Sequence, residues 1–193
     1  MPRLPSLASW IVALALLPGL APAGPRQYDL LAETSSVRFQ TSLNGAPLRG
    51  SFAIRAAHVV LDMAHLPGSS VEVTLDVAGA RTGLPFATEA MRGAEVLDVR
   101  HFPEARFRST AIRAARGGAR ISGLLTLRGV TRPLDLRAEI LRQHGQPEGD
   151  LSRLVVHLTG TLSRAAFGAT GFRDMVGDAV ALDITVRIAA HGG

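Results

Sequence analysis

Alternating apolar and polar residues, the pattern of strands with one buried face, run through most of the chain after residue 35. Val71, Val73, Leu75 and Val77 alternate with polar or small residues, and the stretch 178–190 does the same. Such alternation is typical of antiparallel sheets, because parallel sheets are covered on both faces. The pattern predicts about eight strands, near 36–43, 48–62, 70–80, 104–114, 118–128, 131–143, 151–163 and 178–190.

Glycine-containing turn sequences separate these segments. Asn44-Gly45 between two alternating runs predicts a tight hairpin. The stretches 67–68, 117–118 and 146–149 fit turns or loops equally well. Within 48–62 the apolar parity changes between Ile54 and Val59, which predicts a β-bulge near Ala56-Ala57.

Only residues 86–99 have the character of a helix, so no helical layer is available to cover a large open sheet. A barrel or a sandwich is therefore the economical solution. We predict an all-β fold, a single antiparallel β-barrel of about eight strands, with the short helical segment near 86–99 as a lid over one end. A barrel of ~8 strands is either filled by side chains or holds one small ligand. The inward rows are mostly valine, leucine, alanine and glycine, which leaves both alternatives open.

The first 23 residues read as a secretory signal peptide. Arg3 supplies a basic start, an apolar run covers 7–17, and Ala21-Pro22-Ala23 has the small-x-small pattern of a cleavage site. An uncleaved membrane anchor is the alternative, although the apolar run is shorter than the ~20 residues of a span. We expect residues 24–193 to form one exported, periplasmic domain. It is not expected to be a lipoprotein, because the chain contains no cysteine to acylate.

The charge of the chain does not indicate a nucleic-acid binder. All 21 basic residues are arginine, and the net charge is only +5. The arginines are scattered singly and are not interleaved with aromatic residues, whereas nucleic-acid binders gather charge on one face and add stacking platforms.

Motifs for catalysis or metal binding are lacking as well. The sequence has no Gly-x-Ser-x-Gly elbow, no Ser-x-x-Lys and no His-Glu-x-x-His. His58, Asp62 and His65 could form a metal cluster, but in an extended strand His58 and His65 have opposite parity and lie ~20 Å apart. We therefore predict a protein without catalytic residues, metal or cofactor.

Four ordered segments resemble the YceI-like family. These are 122–140, with Gly-Leu-Leu-Thr-Leu-Arg-Gly-Val-Thr-Arg-Pro at its centre, 95–110, 158–169 and 176–190. The similarity extends from about Tyr28 to Ala190. It implies a lipocalin-like barrel in the periplasm that binds isoprenoids or other long-chain amphiphiles, in a family not generally regarded as enzymatic. Because some members are encoded beside membrane di-haem cytochromes, it also implies a possible quinone or redox link.

The resemblance has gaps at three polar positions. Histidines that many members carry correspond here to Thr34, Leu43 and Ala90. The barrel and its apolar interior carry over to this chain, whereas the family's preference for a ligand headgroup does not.

The predicted binding site is an apolar pocket with one polar contact at its rim. Arg164 and Arg173 are candidate contacts for an acidic headgroup, since arginine pairs well with phosphate and carboxylate. The alternative for this stretch is an ordered loop whose arginine binds backbone carbonyls. Ordinary core packing is the alternative for the pocket candidates, which are Phe39, Phe52, Val73, Leu75, Phe86, Met91, Leu97, Phe107, Leu125, Phe167 and Leu182.

The sequence thus predicts an exported protein that carries or sequesters a polyisoprenoid, quinone-like or fatty-acyl lipid, with transient membrane or cytochrome contact and a possible dimeric state. One rival is a filled barrel that docks a membrane redox protein without a ligand. The other is a hydrolase with an unrecognised site.

Overall fold

Nine antiparallel strands and one short α-helix form the computed structural model, which describes residues 24–141, 145, 147 and 149–192. All eight predicted strands are confirmed, each end within two residues of the expected position. One further strand and the helix complete the set. The elements are β1 (Arg26–Leu30), β2 (Ser36–Leu43), β3 (Ala46–Leu61), β4 (Ser70–Thr82), α1 (Pro85–Arg92), β5 (Glu104–Ala115), β6 (Gly118–Leu127), β7 (Val130–Leu141), β8 (Arg153–Ser163) and β9 (Ala179–Ala190).

Strands β2 to β9 close into an eight-stranded barrel, as predicted. Each of these strands pairs with its neighbour in sequence, and β3 and β4 pair along most of their length. The pairing of β2 with β9 joins the first and last strands of the ring and closes the barrel. β1 fills the gap between β3 and β9 beyond the end of β2, with Tyr28 opposite Val59 and Ala190. The alternation does not predict β1, because this strand is only five residues long and has two apolar positions.

The hairpins at 44–45 and 128–129 both have the backbone of a type I′ turn. Asn44 and Gly45 have φ values of 51° and 80°, and Arg128 and Gly129 have values of 52° and 73°. Positive φ at both central residues defines the type I′ turn, whose twist matches that of the flanking strands. The Asn44-Gly45 hairpin is thus confirmed, and Arg128 occupies a position that usually favours Asn or Gly.

The predicted change of parity in β3 is a register irregularity against β4. Shifts occur between Ser51 and Ala53 and between Ile54 and Ala56. The extra residue bends the strand and restores the inward direction of its apolar row. The bulge predicted near Ala56-Ala57 is therefore confirmed.

The connections divide between two ends of the barrel. The helical end comprises α1, the turns at 44–45 and 128–129, and residues 164–178, here called the 164–178 loop. The opposite end comprises residues 62–69, the turn at 116–117, the start of β1 and the end of β9. A short 3-10 helix, Ala165–Phe167, begins the 164–178 loop.

Two expectations fall wholly or partly outside the described residues: the signal peptide at 1–23 and much of the turn at 146–149. In the part of the chain that is described, no helix has both the length and the apolar character required to span a membrane.

Candidate functional site

The interior of the barrel is lined by apolar side chains, and one of its walls is tightly packed. This wall is formed by β5, β6 and β7, and seven of its inward residues are each exposed by 9% or less. Side chains this well covered leave no space among themselves. The residues are Phe107, Ile112, Ile121, Leu125, Leu134, Leu136 and Ala138.

The facing wall, formed by β3, β4, β8 and β9, is only half-buried. Because these side chains share the inward parity of buried neighbours, the solvent-accessible part of their surface lies inside the barrel. The inner surface of this wall is therefore partly accessible, and the filled-barrel alternative fits the burial pattern less well. The half-buried inward residues are Phe52, Ile54, Val71, Val73, Leu75, Val156, Leu158, Leu162, Leu182, Ile184 and Val186.

Inward glycines let large side chains lie flat against the wall. A Cβ added at Gly50 would come 2.2 Å from the ring of Phe39, and one at Gly123 would come 2.4 Å from that of Phe107. A Cβ at Gly160 would come 2.7 Å from Leu136. Since a side chain that lies over glycine does not stand into the lumen, these pairs preserve interior volume.

Several predicted lining residues meet at the helical end of the interior. Phe39 and Phe52 have ring centroids 5.0 Å apart, and Phe39 pairs with Leu182 of β9. Leu97, which follows α1, is buried against the inward rows, and Met91 packs against the same cluster. The segment 86–99 therefore covers this end, which agrees with the lid expectation.

Phe86 does not line the interior, which corrects that prediction. Its side chain is 65% exposed, whereas Ala87 and Thr88 form the buried face of α1. The helix begins at Pro85, so Phe86 falls on its first turn and points away from the barrel. Periodicity over eight residues was too short to fix this orientation.

Phe167 closes the interior at the helical end. It is 2% exposed and packs within the core cluster that includes Phe107 and Leu125. The short 3-10 helix that carries it ends at Gly168, whose φ of +74° favours glycine. Phe167 thus contacts the interior as part of its closure.

Arg164 holds the 164–178 loop together. Its guanidinium is buried and donates to four backbone carbonyls: Gly177 at 3.1 Å, Ala169 at 2.7 Å, Gly171 at 2.8 Å and Val176 at 3.0 Å. Burial lowers the pKa of Arg164, although arginine remains charged at neutral pH. These contacts match the ordered-loop alternative, because Nε and both Nη atoms already donate to the backbone.

Arg173, the second predicted headgroup contact, is exposed. It lies beside Phe172, Arg128 and Glu95 in an open cleft of about 460 Å³. A headgroup role for Arg173 stays a prediction.

The two arginines of the β6–β7 hairpin contact backbone carbonyls of other segments. Arg128 donates from Nη2 to the Ala94 carbonyl at 2.7 Å, and its Nε is buried without a partner in the described residues. Arg132 donates from Nε to the Ala166 carbonyl at 3.2 Å. It pairs with inward-facing Leu125, so it stands at the helical-end rim of the interior. Its parity with Leu134 in the sequence is the signal that indicates this inward position.

Tyr28 closes the opposite end and was also missed. Its side chain is 2% exposed and packs with Val59, Leu154 and Ile188. The hydroxyl donates to the Leu151 carbonyl at 2.9 Å, and burial raises the pKa of this phenol. The interior is thus a chamber with apolar walls and a closure at each end.

Asp62, the carboxylate considered for metal binding, contacts backbone N–H groups. Asp62 Oδ1 accepts the N–H groups of Ala64 and His65, which makes it a turn residue. His157 Nε2 lies 3.0 Å from Asp183 Oδ1 at the barrel surface. Over the described ranges, no group of three or more potential ligands is placed to hold a metal ion.

Known proteins share this architecture. Burkholderia cenocepacia BcnA superposes with a TM-score of 0.73 at 22% identity, over 82% of this chain and 99% of that one. The Campylobacter jejuni YceI protein gives a TM-score of 0.59 at 20% identity, over 75% of this chain and 85% of its own. At these identities the likeness shows the fold.

Sequence similarity is more specific. A UPF0312 protein of Ectopseudomonas mendocina is 32% identical over 146 residues, which cover 75% of this chain and 76% of the relative. Protein YceI of Salmonella newport is 29% identical over 140 residues, or 72% of this chain and 73% of its own. The model of the YceI-like domain matches residues 28–188. The chain therefore belongs to the YceI-like family.

Proposed function

We propose that this protein binds one long apolar amphiphile inside the barrel, as a carrier or sequestering protein, and does not transform it. The observation that carries the proposal is the half-buried apolar wall of β3, β4, β8 and β9, whose inward side chains keep accessible surface inside the barrel. Polyisoprenoid, quinone-like and fatty-acyl chains are the ligand classes whose shape and polarity suit such a chamber.

Burial of the ligand chain would supply most of the affinity. Each methylene removed from water contributes about 0.8 kcal/mol, so ten methylenes would contribute roughly 8 kcal/mol before the costs of association. The inward hydroxyl of Ser109 accepts the N–H of Val71, so this polar group is engaged with the backbone of β4. The chamber therefore favours an apolar ligand body.

The polar groups at the chamber ends support binding without turnover. Tyr28, Arg132 and Arg164 each donate to backbone carbonyls. A nucleophile would need an adjacent base, and none of these contacts supplies one. Their arrangement fits a frame that holds the closures in place.

The headgroup preference of this protein should differ from that of histidine-bearing relatives. Leu43 lies at the helical end, where it bridges to Val176, and Ala90 lies on α1. The family histidines that are replaced here by Leu43 and Ala90 would thus both lie near the closure at the helical end. Ligands with a weakly polar head, such as polyprenyl or quinone analogues, are the preferred probes.

The experiment is native mass spectrometry of the exported protein, combined with organic extraction and mass spectrometry of the extract. We expect a bound lipid, or uptake of added polyprenyl or quinone analogues at one per chain. A protein with the mass of the bare chain, no lipid in the extract and no uptake would defeat the carrier proposal. That result would favour the docking module. Accumulation of product from ester or phosphate substrates would instead favour the hydrolase.

A further inference from the structure

Large apolar side chains are exposed at the helical end of the barrel. Phe86 is the most exposed of them at 65%, Leu84 is 40% exposed, and the intervening Pro85 is exposed as well. Phe172 and Met175 of the 164–178 loop, at 41% and 44%, lie at the same end. The entry into α1 is therefore an apolar tip of three consecutive residues.

Arginines flank this tip. Phe86 borders an open cleft of about 540 Å³ together with Arg81, Glu89 and Arg92. Arg92 donates from Nε to the Ala80 carbonyl at 3.0 Å, and its Nη1 lies 3.5 Å from Glu89 Oε1. The Arg81 side chain is exposed and has no hydrogen bond or ion pair to the described residues. At least one guanidinium beside Phe86 is thus free to bind an anion.

We propose that the helical end docks on the surface of a membrane containing anionic lipids. Phe86 and Leu84 enter the interface between headgroups and acyl chains, where aromatic side chains are favoured. Arg81 binds lipid phosphates, with which the planar guanidinium makes paired hydrogen bonds. The net charge of +5 on the chain adds attraction to an anionic surface.

A bilayer suits this tip better than a protein partner does. A specific protein interface covers about 800 Å² on each partner, which requires a broad complementary surface. Three exposed residues at a helix start are much smaller than that. They match an interfacial anchor, in which one or two apolar side chains are inserted and basic side chains remain at the phosphates.

Met91 and Leu97, which lie behind the tip, pack against the inward rows and so cover this end of the chamber. Docking at the tip would therefore bring the membrane close to the covered end of the chamber. The docking inference does not depend on which ligand is bound. Vesicle binding and ligand uptake are separate measurements, so either proposal can fail alone.

The test uses a fluorescent reporter at the tip. The single tryptophan, Trp10, lies in the predicted signal peptide, so protein from residue 24 onward contains none. Phe86→Trp therefore reports on the tip alone, and Leu124→Trp on the outer barrel wall is the matched control, since Leu124 is 43% exposed. Phosphatidylglycerol–phosphatidylcholine vesicles are compared with phosphatidylcholine vesicles at low and high salt.

We expect a blue shift of the tryptophan at 86 with anionic vesicles, weaker at high salt, and none at 124. In co-sedimentation, Phe86→Asp should bind anionic vesicles at least about tenfold more weakly, because burial of a phenylalanine contributes about 1.5–3 kcal/mol. Unchanged thermal unfolding would show that the variants fold. No shift at 86, or equal shifts at both positions, would overturn the proposal and favour a protein partner.

Discussion

The ring of Phe107 on β5 lies across Gly123 on β6, where a Cβ would come 2.4 Å from the ring and 2.6 Å from the Arg108 carbonyl. Neither neighbour can move freely, because the ring packs in the core and the carbonyl belongs to the sheet. This contact sets the shape of the packed wall. It also makes residue 123 a sensitive test of the interior.

Gly123→Ala should destabilise the fold by about 1–3 kcal/mol, the usual cost of overpacking a core. Urea unfolding monitored by circular dichroism measures the change. Gly83→Ala is the matched control, since nothing lies within 4 Å of a Cβ there and its φ is not positive. Equal stability of the two variants would contradict the placement of Phe107.

Filling the chamber should reduce ligand uptake while the fold is kept. Val73 is half-buried on β4 and faces the open interior, so Val73→Phe inserts a ring into that space. Displacement of about two ligand methylenes would weaken binding roughly tenfold. The measurement is titration with a polyprenyl or quinone analogue, with Leu124→Phe on the outer wall as control. If both variants bind as the parent does, the ligand does not occupy the chamber.

Arg164→Lys should loosen the 164–178 loop. Lysine offers three donors from one nitrogen and cannot reproduce the four carbonyl contacts of the guanidinium. Since hydrogen bonds to charged groups contribute about 1.5–3 kcal/mol each, we expect a loss of at least about 2 kcal/mol. Limited proteolysis should cleave the variant faster within the loop. Arg173→Lys, at an exposed position, should leave both readouts unchanged, and parental stability of Arg164→Lys would refute the loop role.

The Asp178 carboxylate should make this loop sensitive to acid. Hydrogen bonds from the Ser163 hydroxyl and the Ala165 N–H hold the pKa of Asp178 below its usual value. A lowered pKa in the folded state stabilises the fold above the unfolded pKa of about 3.9, and this contribution is lost as the pH falls through the folded value.

Thermal unfolding from pH 6 downward tests this relation. Asp178→Asn should have a lower Tm than the parent at pH 6, and the two values should converge below about pH 3. Asp174→Asn, in the same loop, should match the parent throughout the range. A Tm difference for Asp178→Asn that stays constant with pH would show that its carboxylate charge is not involved.

Local chemistry was sufficient to predict most of the barrel. The alternation predicted every strand of the closed ring. The Asn44-Gly45 pair predicted a hairpin, and the change of parity before Val59 predicted a bulge. These features depend on residues within a few positions of one another. β1 could not be predicted in this way, because it is held by its pairing with the distant strands β3 and β9 and has little alternation of its own.

The site was less predictable from the sequence, because its residues act through distant neighbours. Phe39 and Leu182 were expected to share the interior, and they pair across β2 and β9. Phe86 points outward, and Arg132 at the hairpin reaches the Ala166 carbonyl. These outcomes depend on how α1 and the 164–178 loop pack over the barrel.

The sequence by itself determined which face of each strand is apolar, where the chain turns and which family it resembles. Only the tertiary structure decided that β5–β7 form a packed wall while many inward side chains of β3, β4, β8 and β9 stay half-buried. The physical reason is that an inward side chain is buried by residues across the barrel. Val73 is half-buried and Leu136 is buried, although both occupy inward positions of alternating strands. The difference comes from the side chains that surround each residue in the folded barrel, which the alternation within one strand does not specify.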